Sequence, residues 1–206
     1  MTKILLNTAY FPPIEYMQQF SGSDDVYIEA CEHYVKQSYR NRCRISAPNG
    51  IQNLIVPVVK GKSPGQPIRD IKIDYSEPWQ GNHRRSIETA YAAAPFFEFY
   101  YDDIIPFFKQ KYHFLFDLNL KICEKLIALF DLDTTIRLTT TYTAAPAKDF
   151  KDLRDILHPK KNIITRQKPY MQVFSERYGF QPGLSALDLL FNEGPAGKEY
   201  LYRNCL

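Results

Sequence analysis

Arginine takes every second position in the run Lys36-Gln37-Ser38-Tyr39-Arg40-Asn41-Arg42-Cys43-Arg44, which carries four cations and no acid. In a strand, the period of two puts Arg40, Arg42 and Arg44 on one face and Asn41, Cys43 and Ile45 on the other. Three guanidiniums on one face repel each other unless something anionic lies across them. That partner is either an Asp or Glu of a neighbouring element, or a phosphate or carboxylate ligand held bidentately. A solvated, arginine-studded edge strand is the remaining possibility. Downstream, Pro48-Asn49-Gly50 supplies a tight-turn signal, so Arg40 to Ala47 and Gln52 to Val59 are predicted to pair as a hairpin that fixes the register of the arginine face.

Around this hairpin the chain reads as an α/β protein, a single domain over residues 1–206 with a mixed sheet and a cluster of helices. Lys3 to Ala9 is a first strand stopped by Tyr10-Phe11-Pro12-Pro13, with Pro13 opening a short helix through Tyr16 and Phe20. After a turn at Ser21-Gly22-Ser23-Asp24, Val26 to Ala30 is a second strand, parallel to the first by the length of the crossover. Lys60 to Pro67 is a polar loop and Ile68 to Ile73 a further strand. Helices are expected over His83–Ala94 with Asn82 as N-cap, through Phe97 to Phe108 with a kink at Pro106, and over Leu115–Phe130. Ile136 to Tyr142 is a Thr-rich strand that can extend the parallel sheet, and Tyr170 to Phe174 a last short one. Ser185 and Asp188 are spaced as a capping box for a helix through Phe191 that Gly194 stops.

Composition excludes several function classes. A net charge of +3 argues against a general nucleic-acid binder, although residues 148–168 hold seven Lys or Arg against three Asp. That window reads as a solvated face. Cys31, Cys43, Cys123 and Cys205 lack metal-ligand or CxxC spacing and read as reduced thiols of a cytoplasmic protein. No apolar run approaches a membrane span, so membrane insertion is not expected. With 15 Tyr in the chain, many hydroxyls need partners, in a core or along a polar pocket.

No nucleophile–base pair, P-loop, GxGxxG or two-His metal motif is present, and nothing in the sequence specifies a metal, a cofactor or an oligomeric state. The residues instead assemble a candidate pocket for an anionic small molecule. Arg40, Arg42 and Arg44, with Lys36 and Asn41 of the same run, would hold the anion. Tyr10 and Tyr16, beyond the carboxyl end of the first strand, would line the pocket. His83, at the start of a helix whose first turn also holds Arg84 and Arg85, is the candidate catalytic acid or base.

Several pieces together resemble the WbqC-like family of bacterial proteins. They are Tyr10-Phe11-Pro12-Pro13-Ile14-Glu15-Tyr16, the run from Tyr34 to Ile45, Leu54-Ile55-Val56-Pro57-Val58, Trp79 with His83, Asp117-Leu118-Asn119, and Leu184 to Asn192. The resemblance implies a place in O-antigen and related surface-polysaccharide synthesis, with transfer of glycine or another aminoacyl group to a sugar. Where many members end the first strand with histidine, glutamine and proline, this chain has Leu6-Asn7-Thr8, so any role of that histidine is absent here.

Overall fold

The structure is a computed structural model that describes residues 3–22, 25–59, 65–154, 156–159 and 167–203. Outside these lie Ser23 and Asp24 of the expected turn, residues 60–64 of the polar loop, positions 155 and 160–166 of the basic window, and Cys205. In chain order the elements are β1 (Lys3–Asn7), α1 (Ile14–Ser21), β2 (Asp25–Glu29), β3 (Arg42–Ala47), β4 (Gly50–Ile55), α2 (Trp79–Tyr91), α3 (Phe97–Ile104), α4 (Pro106–Lys109), α5 (Leu115–Leu129), β5 (Thr135–Leu138), β6 (Phe150–Asp152), α6 (Ser175–Tyr178), α7 (Ala186–Glu193) and α8 (Ala196–Arg203).

Four strands form an all-parallel sheet in the order β5-β2-β1-β6, and β3 and β4 form a separate antiparallel hairpin. The parallel crossover, the hairpin and the helices of the α/β reading are therefore all present, with the two kinds of pairing in two sheets. Ile4 and Leu6 lie level with Val26 and Ile28 on one buried face. The other face carries Lys3, Leu5 and Asn7 beside Tyr27 and Glu29, and continues on β6 through Phe150 and Asp152. A parallel sheet normally has two apolar, covered faces; this one has a polar side.

Local chemistry explains most boundaries. Pro13 precedes the first residue of α1, and its carbonyl accepts from the Tyr16 and Met17 amides. The Pro106 break separates α3 from α4, as its missing N–H requires. In α5, Leu118, Ile122 and Leu126 form the buried stripe. Gly50, at φ 98°, makes the hairpin turn that Asn49-Gly50 announced.

Four local expectations are corrected. The arginine strand begins at Arg42, because Arg40 and Asn41 belong to a turn fastened to other elements. Residues 68–70 form a 3-10 turn, and only isolated bridges at Lys72 and Ile73 follow it. Helix α2 starts at Trp79, which buries its indole against Tyr75 and Tyr10. That earlier start takes His83, Arg84 and Arg85 out of the first-turn end and leaves Asn82 accepting from Arg85 (2.7 Å) instead of capping. Tyr170–Phe174 is irregular, while β6, three residues inside the basic window, is a strand that no periodicity marks.

The buried side chains form one contiguous core from Ile4 to Leu201. Several tyrosine hydroxyls inside it are paired: Tyr16 donates to the Asn7 carbonyl (2.8 Å) and Tyr91 to Asp188 (3.0 Å).

Candidate functional site

The backbone of the arginine run is the hub on which the other segments dock. Tyr10 N–H donates to the Tyr39 carbonyl (2.8 Å), Asn119 Nδ2 to Arg40 (2.7 Å), Val56 N–H to Asn41 (2.8 Å) and Ser185 N–H to Arg44 (2.7 Å). The first-strand turn, α5, the residue after β4 and the start of α7 are thereby tied to consecutive parts of one segment.

The three arginines have different fates. Arg40 is 3% exposed and grips Glu32 bidentately, with Nε 2.9 Å from Oε1 and Nη2 on Oε2. Burial pushes the Glu32 carboxyl up and Arg40 pulls it back. This is a closed structural pair. Arg42 and Arg44 lie partly buried on one face of β3, opposite Ile55 and Asn53 of β4. Neither forms an ion pair with a carboxylate among the described residues, and Arg42 Nε is buried without an acceptor among them. Arg44 lies beside Tyr39, whose hydroxyl burial pushes up, and Arg42 neighbours Tyr34. A Cβ at Gly183 would sit 3.6 Å from Arg44 Nη1 and 3.9 Å from Glu15 Oε1, so bare backbone approaches this arginine.

The other expected site residues spread around this hub. Asn41 is buried and donates to the Val56 carbonyl (2.9 Å), and Lys36 is exposed on a turn. Tyr16 spends its hydroxyl on Asn7. Tyr10 Oη lies 2.9 Å from His83 Nδ1, in a cage with Trp79 and Phe108. Burial pulls the His83 pKa down to about 4, against the Ile55 backbone, so the ring is neutral at pH 7. Cys43 and Cys123 are buried free thiols whose pKa burial raises, and Cys31 is a free, half-buried one.

Sequence reasoning missed a second charged group, at the carboxyl ends of the parallel strands. Glu29 accepts from Arg154 Nη1 (3.1 Å), Thr139 Oγ1 (2.5 Å) and the Cys31 amide (2.9 Å). Arg154 also clasps Asp152 through Nε (2.9 Å) and Nη2 (2.6 Å). Its guanidinium thus joins the last residue of β6 to the end of β2, across the position of β1 where Asn7 Oδ1 is buried without a donor among the described residues. This is the switch point between β1 and β6, where open α/β sheets place ligands. A cation drawn from the basic window fills it. No group of three or more His, Cys, Asp or Glu among the described residues is placed to hold a metal ion.

The fold and site together define an α/β protein with a parallel sheet and a separate arginine-bearing hairpin packed against α2 and α7. Residues 8–162 match the WbqC-like protein family, and the chain belongs to that family. It is similar to the uncharacterized protein Rv1507c of Mycobacterium tuberculosis, with 30% identity over 93% of this chain and 91% of the relative. No solved structure matches the chain.

Proposed function

We propose that the protein is a cytoplasmic transferase of bacterial cell-surface polysaccharide synthesis of the O-antigen type, which holds the anionic part of its substrate on Arg42 and Arg44. Glycine or another aminoacyl group transferred to a sugar is the reaction class. One observation carries the anion-binding part: two half-buried guanidiniums, side by side on a strand face, lack carboxylate partners among the described residues while Arg40 next to them has one. Family membership supports the pathway, and the free thiols of Cys31, Cys43 and Cys123 support a reducing compartment. A second reading, binding of an anionic small molecule without catalysis, draws on His83: its ring is caged and neutral, with Nδ1 engaged by Tyr10.

Thermal melts with a panel of nucleoside and sugar phosphates test the proposal. At least one compound should raise the melting temperature of the wild type, and Arg42→Gln should weaken its binding by about 1.5–3 kcal/mol, the scale of a lost charge-assisted hydrogen bond. A panel without any shift, or full retention of the shift in both Arg42→Gln and Arg44→Gln, contradicts the platform. Mass analysis of the bound sugar after incubation with an aminoacyl donor separates the readings: an added aminoacyl group supports transfer, and an unmodified sugar supports binding alone.

A further inference from the structure

An open groove of about 630 Å³ runs between the hairpin turn and α2, and its lining residues Ala47 and Gln52 lie on the strand face opposite Arg42 and Arg44. Its volume is in the range of small-molecule sites. Asn82, Arg85, Ser86 and Thr89 form one wall, at the spacing that shares a helix face. Residues 47–52 form the other, and Gln52 Nε2 donates to Ser86 Oγ (3.1 Å) across the gap.

The groove is preformed. The Pro48 carbonyl at its rim accepts from both Arg177 Nη1 (2.8 Å) and the Tyr178 hydroxyl (2.7 Å), so α6 pins the turn from outside. Ser46 Oγ anchors the same strand end to Gln181 (2.6 Å). Such support is what keeps binding groups in place before a ligand arrives.

Its chemistry is selective. The lining offers two carboxamides from asparagine, one from glutamine, two hydroxyls and a single charge, Arg85. Arg85 touches the neutral Asn82 side chain and has no carboxylate partner among the described residues. Amides and hydroxyls both donate and accept, which suits a ring bearing several hydroxyl groups. Pro48 and Ile51, the latter 38% exposed, offer apolar surface for the C–H face of such a ring. A planar aromatic ligand would find no aromatic side chain to stack on, and a polyanion only one cation.

We propose that this groove binds a hydroxyl-rich ring carrying one anionic group, a sugar acid or a sugar phosphate, with Arg85 taking the anion and Gln52, Asn82 and Ser86 taking hydroxyls. Arg42 and Arg44 do not line this site, which stands without them.

Amide-shift titrations of the isotope-labelled full chain test this with glucuronate and glucose 6-phosphate as probes, and glucose and inorganic phosphate as controls. The expected result is saturable shifts at residues 47–52 and 82–89 with one or both probes in the millimolar range or tighter. Response to glucuronate alone identifies a carboxylate ligand, and response to glucose 6-phosphate alone a phosphate one. Arg85→Ala should weaken binding about tenfold or more, Ser86→Phe should abolish it by filling the groove, and Arg42→Gln should leave it unchanged. Absence of saturable shifts in the groove with both probes overturns the proposal. So does equal affinity for glucose or for inorganic phosphate, or indifference to Arg85→Ala in a variant whose spectrum is otherwise native. Because Arg42→Gln is predicted to act only on the other face, failure here and failure of the arginine platform are distinguishable.

Discussion

Asp188 is fully buried, and three side chains donate to its carboxylate: Tyr170 (2.6 Å), Tyr91 (3.0 Å) and Gln172 (3.0 Å). Burial nevertheless pushes its pKa up to about 6, with those donors working the other way. The folded value is above the unfolded one, so the stability this group contributes is complete below about pH 4 and is lost as pH rises through about 6. His83 has the opposite sign. Its folded pKa of about 4 is depressed, so its contribution is present above the ordinary histidine range near 6.5 and fades as pH falls toward 4. The two trends oppose each other in one window, which a wild-type profile alone would hide. Urea melts of wild type and Asp188→Asn from pH 4 to 7 isolate the first. Relative to the variant, the wild type should lose stability as pH rises; a flat difference contradicts the burial of this charge. In sequence, Asp188 reads as the acid of a capping box. The Ser185 half of that reading holds, since its Oγ accepts from the Leu187 amide. The carboxylate went elsewhere because its donors come from residues 91, 170 and 172, which local spacing cannot reveal.

At the scale of elements, helices and hairpin were legible wherever hydrophobic period and punctuation agreed. Pro13, Pro106, Asn49-Gly50 and Gly194 each mark a boundary that the structure keeps. Gly194 does more than end α7. At φ 53° it turns the chain into α8, and a Cβ there would come within 2.5 Å of the Phe96 ring, whose amide donates to the Phe191 carbonyl. Gly194→Ala should therefore cost about 2 kcal/mol or more, from left-handed backbone and overpacking together. Chemical denaturation measures it, and a loss within about 0.5 kcal/mol of zero, the range of inert surface changes, would show that Phe96 yields freely. β6 was not legible, because three residues are too few for a period and the charges around it point to solvent. The segment at 68–73 misled for the converse reason. Its isoleucines at 68, 71 and 73 among charged residues mimic a strand, yet its backbone is taken up by contacts such as Ile68 N–H to Glu32 and Leu115 N–H to Ile71.

Across the whole molecule, the arginine run organises the fold more than any pocket. Its carbonyls hold four distant segments, and pieces that resembled the family in sequence are the ones that meet there: the first-strand turn, Asn119, Val56 and Ser185. Its period of two correctly placed Arg42 and Arg44 on one face. The same period wrongly extended to Arg40, whose partner Glu32 lies in the preceding irregular segment where sequence offers no register. The proposed division of labour leaves Arg40 to hold the fold and Arg42 with Arg44 to hold a ligand. Urea unfolding of Arg40→Gln and Arg42→Gln, side by side at pH 7, tests it most directly. Arg40→Gln should lose about 3–5 kcal/mol, because Glu32 is left buried and uncompensated. Arg42→Gln should stay within about 0.5 kcal/mol of wild type. Equal, large losses in both variants would contradict the claim, since Arg42 would then be as structural as its neighbour.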